Sequence, residues 1–124
     1  MSLKANVRRA GDVAIVDLSG RITLGEGTGL VRTTIKDLVN SGQKNILLNL
    51  KEVSYLDSSG LGEMVGAYAT VTNAQGSIKL LHTQAKVHDL LQVTKLYTVF
   101  ATFDDEQEAL RSYAASASGN RLYL

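Results

Sequence analysis

The chain has 124 residues, enough for one domain whose core needs no metal or disulfide staple. It contains no cysteine, which excludes disulfides, thiol catalysis and thiolate metal sites. With 13 Lys+Arg against 12 Asp+Glu the formal net charge is +1, which gives no broad electrostatic footprint for nucleic acid or an anionic membrane.

Leu3, Ala5 and Val7 alternate with Lys4, Asn6 and Arg8, the pattern of a half-exposed strand. Its basic outer residues suit a sheet edge, where charge discourages strand addition. Gly11-Asp12 turns the chain into "VAIVDLSG", so residues 3–19 predict an antiparallel hairpin. Between Gly25 and Ser41 the period changes. Val31, Ile35, Leu38 and Val39 share one helical face, with Thr28 near the N-cap and Ser41-Gly42 as the stop. "NILLNL", 45–50, is apolar enough for a strand buried on both sides. Leu61, Met64, Val65, Tyr68 and Val71 then repeat at helical spacing until Asn73, Gln75 and Gly76. "SIKLLH" predicts a strand, and "AKVHDLLQV" a short helix with Val87, Leu90 and Leu91 inward. "YTVFATF" predicts a last strand. Asp104, Asp105 and Glu106 open a final helix running to about Tyr113, where acids complement the helix dipole.

The order β-β-α-β-α-β-α-β-α predicts an α/β fold. It is a single domain with a mixed sheet of four to five strands and helices mainly on one face. Strand 45–50, helix 60–74 and strand 77–82 make a natural crossover unit. The domain is expected over residues 1–115 and a small, polar tail over 116–124, with Leu122, Tyr123 and Leu124 at its end. No stretch approaches the roughly 20 apolar residues of a membrane helix. Lys4, Arg8, Arg9 and Asp12 break up any signal-peptide core, so a cytoplasmic location is expected.

The most informative stretch is "YLDSSGLGEM", residues 55–64. An apolar run ends in Asp57, Ser58 and Ser59, all good N-cap residues, where a helix begins. Gly60 and Gly62 follow, each costing the helix about 1 kcal/mol relative to alanine. Two glycines in the first turn let another surface approach the backbone and leave the early N–H groups uncovered. An anion is stabilised at such a place. A capping box needs Glu or Gln three residues on, but Ser59 has Gly62 there and Ser58 has Leu61. Capping alone therefore leaves one hydroxyl surplus.

"VSYLDSSGLGEMVGAY" resembles the signature of the STAS-domain family, most closely the bacterial anti-sigma-factor antagonists. The resemblance extends over roughly residues 3–115 and includes "DLSGRI" and "NILLNLKEVSYLDSSGLG". It implies a protein-interaction switch that is not an enzyme and needs no cofactor. Ser58, the first hydroxyl after the aspartate, is the implied phosphoacceptor. The implied partners are an anti-sigma factor with serine kinase activity and a serine phosphatase. Unphosphorylated antagonist binds the anti-sigma factor and frees the sigma factor. Phosphorylation of Ser58 releases the antagonist, and the phosphatase restores it. Asp57, Ser59, Gly60, Leu61, Gly62 and Thr23 are the implied partner-binding residues. Met64 and Tyr68 lie near this surface, but their spacing suits the core equally well. The chain departs from the family at Gly20-Arg21-Ile22-Thr23, where a Gly-x-x-Asp pattern is common and an acid often stands at the Arg21 position. That loop belongs to the partner-contacting end in relatives, so the change of polarity bears on which partner is bound.

A phosphoserine carries about −1.5 to −2 charges at pH 7. At a helix N-terminus the fold tolerates that charge, whereas a partner packed flush on the corner would have to bury it. The alternative within the same fold is an unphosphorylated STAS scaffold or accessory subunit of a stress or transport complex. The length of the chain and its lack of a membrane span weigh against a transporter's own tail. Ser58, His82 and Asp89 supply the ingredients of a hydrolase triad. The nucleophile-elbow pattern fails, because Leu56 and Asp57 stand where it needs glycine. His82 and His88, without cysteines or a carboxylate pair, make no metal set. No Walker A or Rossmann glycine pattern is present. Asp104–Glu108 and Arg8-Arg9 read as a dipole-matched first turn and a strand end, with no direct nucleic-acid role.

Overall fold

The N-terminal alternation becomes an antiparallel hairpin of β1 (Lys4–Ala10) and β2 (Val13–Ile22), turned at Gly11 in a left-handed conformation with φ 60°. The computed structural model describes residues 3–23 and 29–113. Three further strands, β3 (Asn45–Leu56), β4 (Ser77–Leu81) and β5 (Thr102–Phe103), extend the hairpin into one sheet of order β1-β2-β3-β4-β5. All pairings after the first are parallel, so the sheet is mixed as expected. The connections carry α1 (Leu30–Asn40), α2 (Ser58–Asn73) and α3 (Ala85–Thr94), and α4 spans 106–113.

Ile46, Leu47 and Leu48 on the central strand β3 are all completely buried, because both sheet faces are covered. On one face Val16, Leu18, Leu48, Leu50 and Leu80 pack against Val31 and Ile35 of α1, Leu61, Met64, Ala67 and Val71 of α2, and Val87 and Leu91 of α3. On the other, Val13, Ile15, Leu47 and Leu81 receive Ala109 and Tyr113 of α4. Three helices on one side and one on the other is the layering anticipated.

The second face is clamped by polar groups. Arg8 donates to Asp17 at 2.6 Å and 3.1 Å and to Glu106 at 2.7 Å and 3.2 Å. Asn49 donates to Asp17 at 2.8 Å. Burial alone would raise the Asp17 pKa, but the hydrogen bonds from Arg8 and Asn49 outweigh it and hold the carboxyl below its ordinary value. At the other end of α4 the Tyr113 hydroxyl donates to the Ile46 carbonyl, and Lys79 donates to Ser112 at 2.8 Å. Asp105 accepts from the Glu108 N–H, so the acidic run does serve as a helix start.

Three local expectations are corrected. "YTVFATF" is not one strand. Lys95 ends α3 in the left-handed region with φ 63°, Leu96–Thr98 form a single 3-10 turn, and only Thr102–Phe103 pair with β4. The apolar content there is spent on Phe100, 1% exposed, whose ring meets Tyr68 edge-on at 5.6 Å. Val65, expected in the core, is exposed on α2, and Ala67 takes the buried position. The strand expected over 45–50 continues to Leu56. Between Asp17 and Arg21 its register against β2 shifts twice, and β3 takes up two extra residues, as in a β-bulge. The expected tail, 116–124, and Thr28 lie outside the described residues.

Candidate functional site

β3 delivers the chain to the serine corner with Leu56 buried as its last residue. Asp57 follows in extended conformation, with φ −107° and ψ −176°, as the N-cap of α2. Its Oδ1 accepts from the Gly60 N–H at 2.8 Å, and its carbonyl accepts from the Leu61 N–H at 2.9 Å. The cap is thus the aspartate, and both serines are surplus to capping. Ser58 and Ser59 are the first two helical residues, both exposed, and neither hydroxyl makes a hydrogen bond among the described residues. They stand at the positive end of a 16-residue helix, where the backbone N–H groups of the first turn lack intrahelical acceptors.

The two glycines have different tasks. A Cβ at Gly60 would lie 2.0 Å from the Ile22 carbonyl oxygen and 2.7 Å from Leu56 Cδ1, so the first turn of α2 is pressed onto the end of β2. A Cβ at Gly62 would meet nothing within 4 Å. Of Gly60, Leu61 and Gly62, expected to meet a partner, the structure places two inward and one outward. Gly60 is buried by its own chain, and Leu61, 4% exposed, turns inward on the same stripe as Met64. Only Gly62 faces outward beside the serines. Met64 is completely buried and Tyr68 packs against the same cluster, so both belong to the core. Thr23 is half-buried directly after β2, one residue beyond the Ile22 carbonyl that touches Gly60.

Two polar arrangements near the corner were not anticipated. Glu63, on α2, is 8% exposed, and its Oε2 accepts from Arg32 Nη2 of α1 at 2.5 Å. Its Oε1 is buried with no hydrogen-bond partner among the described residues. Nothing in the spacing of the sequence marks this pairing, because Arg32 and Glu63 lie 31 residues apart on two helices. Second, Arg21 and Tyr55 are register partners on β2 and β3, and the guanidinium lies over the phenol ring at 4.8 Å. Both are exposed. A cleft of about 180 Å³ separates this end of β3 from the start of α3, lined by Ser54, Tyr55, Leu56, Gln84 and Lys86 among others.

The hydrolase ingredients do not assemble. His82 sits half-buried at the end of β4 with φ 56°, and His88 Nδ1 is 3.9 Å from Asp89. Neither histidine hydrogen-bonds a serine hydroxyl of the corner among the described residues. Among the same residues no three His, Asp or Glu side chains cluster as metal ligands, and no helix is long and apolar enough to cross a membrane. Among the described residues no histidine stands within hydrogen-bond reach of the corner hydroxyls.

The family model of the STAS domain matches residues 4–109. The chain belongs to the STAS-domain family. Within it, this STAS domain is 30% identical over 111 residues to the anti-sigma F factor antagonist of Paenibacillus polymyxa, covering 89% of this chain and 94% of the relative. That places it among the anti-sigma factor antagonists, which are regulators and not enzymes. An anti-sigma factor antagonist from Mycobacterium paratuberculosis has the same fold, with a TM-score of 0.79 at 20% identity over 90% of this chain and 93% of that one. The Bacillus antagonist SpoIIAA matches the STAS domain in two solved states. Its unphosphorylated form has a TM-score of 0.68 at 18% identity, covering 90% of this chain and 98% of that one. Its phosphorylated form has a TM-score of 0.70 at 20% identity, covering 89% and 99%.

Proposed function

We propose that this STAS domain is a partner-switching anti-sigma factor antagonist acting in the cytoplasm, with Ser58 as its phosphoacceptor. Unphosphorylated, it binds an anti-sigma factor that has serine kinase activity and so frees a sigma factor. Transfer of a phosphoryl group from ATP to Ser58 Oγ, with loss of the hydroxyl proton and release of ADP, ends the association. A serine phosphatase returns the hydroxyl.

The observation that carries this reading is the division of labour at the corner. Asp57 does the capping, which leaves Ser58 exposed and unbonded on the first residue of a helix held rigidly against β2. A double negative charge there is stabilised by the helix end and hydrated by solvent. A partner covering Ser58, Ser59 and Gly62 would have to desolvate it, which costs more than most interfaces return.

The test is incubation with ATP and the serine-kinase anti-sigma factor of the same organism. One phosphate should be incorporated, lost in Ser58→Ala and kept in Ser59→Ala, and Ser58→Asp should no longer hold the anti-sigma factor in gel filtration. A complex that survives Ser58→Asp unchanged would falsify the switch.

A further inference from the structure

Arg21 is an exposed cation at the end of β2 that makes no ion pair among the described residues. Its guanidinium is instead parked over the Tyr55 ring at 4.8 Å. A side chain with so much rotamer entropy gains little from such an exposed contact, about 0.5–1 kcal/mol. The stacking biases the head group toward the Tyr55 ring while its N–H donors stay open to solvent. That place is next to the switch. The register partners Arg21 and Tyr55 are followed at once by the partners Ile22 and Leu56, and then by Thr23 on one strand and Asp57-Ser58 on the other. Across the cleft from Tyr55 stands Lys86, a second exposed cation, at the start of α3.

No described acid forms a salt bridge with either member of this pair. Asp57, whose Oδ1 accepts from the Gly60 N–H, and Glu52, opposite Ser19, make no salt bridge to Arg21 among the described residues. Asp89, one helical turn beyond Lys86, lines the neighbouring hollow with it but forms no salt bridge to it among the described residues. Among the described residues the rim of the corner on the β2–β3–α3 side thus carries two exposed cations, Arg21 and Lys86, that no salt bridge occupies.

We propose that Arg21, positioned by Tyr55 and seconded by Lys86, is a specificity determinant that receives a carboxylate of the protein docking on the Ser58 corner. The occupant is thus an acidic side chain on the partner's docking surface. A planar guanidinium presented at an interface rim can engage a carboxylate with two parallel hydrogen bonds, which adds direction as well as attraction. Opposite charges at a rim speed encounter and reject partners of the wrong sign. This inference rests on the partner-switching reading, and its test separates the two.

The affinity of the unphosphorylated chain for the anti-sigma factor is measured by titration calorimetry at 50 mM and 500 mM salt. The variants are Arg21→Glu, Arg21→Ala, Tyr55→Leu and Lys86→Ala, with Ser58→Asp alongside, and circular dichroism checks that each is folded. Arg21→Glu should weaken binding at least 30-fold at low salt, Arg21→Ala about tenfold, and Tyr55→Leu and Lys86→Ala a few-fold each. The wild type should lose affinity at high salt more steeply than Arg21→Ala. Reversing one acidic residue of the anti-sigma factor to lysine should restore binding to Arg21→Glu and to no other variant. If Ser58→Asp abolishes binding while folded Arg21→Glu stays within twofold of wild type, the role of Arg21 is overturned and the switch stands. If the wild type binds no anti-sigma factor, or Ser58→Asp binds as well as wild type, the partner-switching reading fails and the Arg21 inference falls with it.

Discussion

At Asp57 one side chain decides what its neighbours are free to do. By accepting the Gly60 N–H it removes the only local demand on a serine hydroxyl. Asp57→Ala should lower the unfolding free energy by about 1 kcal/mol, as loss of an N-cap does. It should also pull Ser58 or Ser59 into a capping role and slow phosphoryl transfer, measurable as stability by urea titration and as rate by phosphate incorporation. Gly60 and Gly62 make the sharper contrast. Alanine at Gly60 drives a methyl group into the Ile22 carbonyl, 2.0 Å away, where only backbone could give way. That should cost about 2–3 kcal/mol or more through overpacking. Alanine at Gly62 meets open space and should add up to about 1 kcal/mol of helix stability. A urea titration in which both variants move the midpoint the same way would contradict this assignment of the two glycines.

Elements are joined by two polar clips of unlike character. The α1–α2 clip pairs a buried Glu63 with an Arg32 side chain that is 61% exposed. Arg32→Ala strands the acid, so it should cost about 2 kcal/mol, beyond the roughly 0–1 kcal/mol of an exposed surface pair. Arg32→Ala combined with Glu63→Leu should recover much of that loss in urea titrations. The hairpin–α4 clip centres on Asp17, whose folded pKa is depressed. Its contribution is present above the unfolded value of about 3.9 and disappears as pH falls through the lower folded value. Wild-type thermal stability should therefore decline as pH falls below about 4, and Asp17→Asn should flatten that limb while being less stable at pH 7. Most elements are legible from the sequence, because the Val31–Ile35 and Leu61–Met64 spacings reflect one-sided burial, whereas β1 pairs as an edge strand although Val7 on its apolar side is 41% exposed. What stayed hidden depends on the third dimension. The Tyr97–Phe103 run has strand propensity, but Phe100 packs as a plug against Tyr68 and the left-handed Lys95 turns the chain away from the sheet. Asp57, Ser58 and Ser59 were visible as a group, yet which of them caps depends on ψ at one residue, which composition does not encode. The burial of Glu63 depends on its pairing with Arg32 of α1, a contact no local pattern encodes.

For the whole molecule, phosphorylation should be a change of surface and not of fold. The wild-type, Ser58→Asp and phosphorylated chains should share one far-ultraviolet circular dichroism spectrum, with melting temperatures within about 4 °C of one another, since a charge at a helix terminus is worth only tenths of a kcal/mol to about 1 kcal/mol. Amide shifts in a nitrogen–proton correlation spectrum should cluster around Thr23 and residues 55–63 and leave the α4 face untouched. A global loss of dispersion on phosphorylation would contradict this. The seating of α2 on the Ile22 carbonyl carries a kinetic corollary. Because Gly60 lets the first turn of α2 sit this close to β2, the backbone that carries the acceptor serine should keep its place before and after modification. Enzymes that attach or strip the group meet a stiff target, so differences in turnover between related systems should trace to those enzymes and to how each grips the surrounding rim.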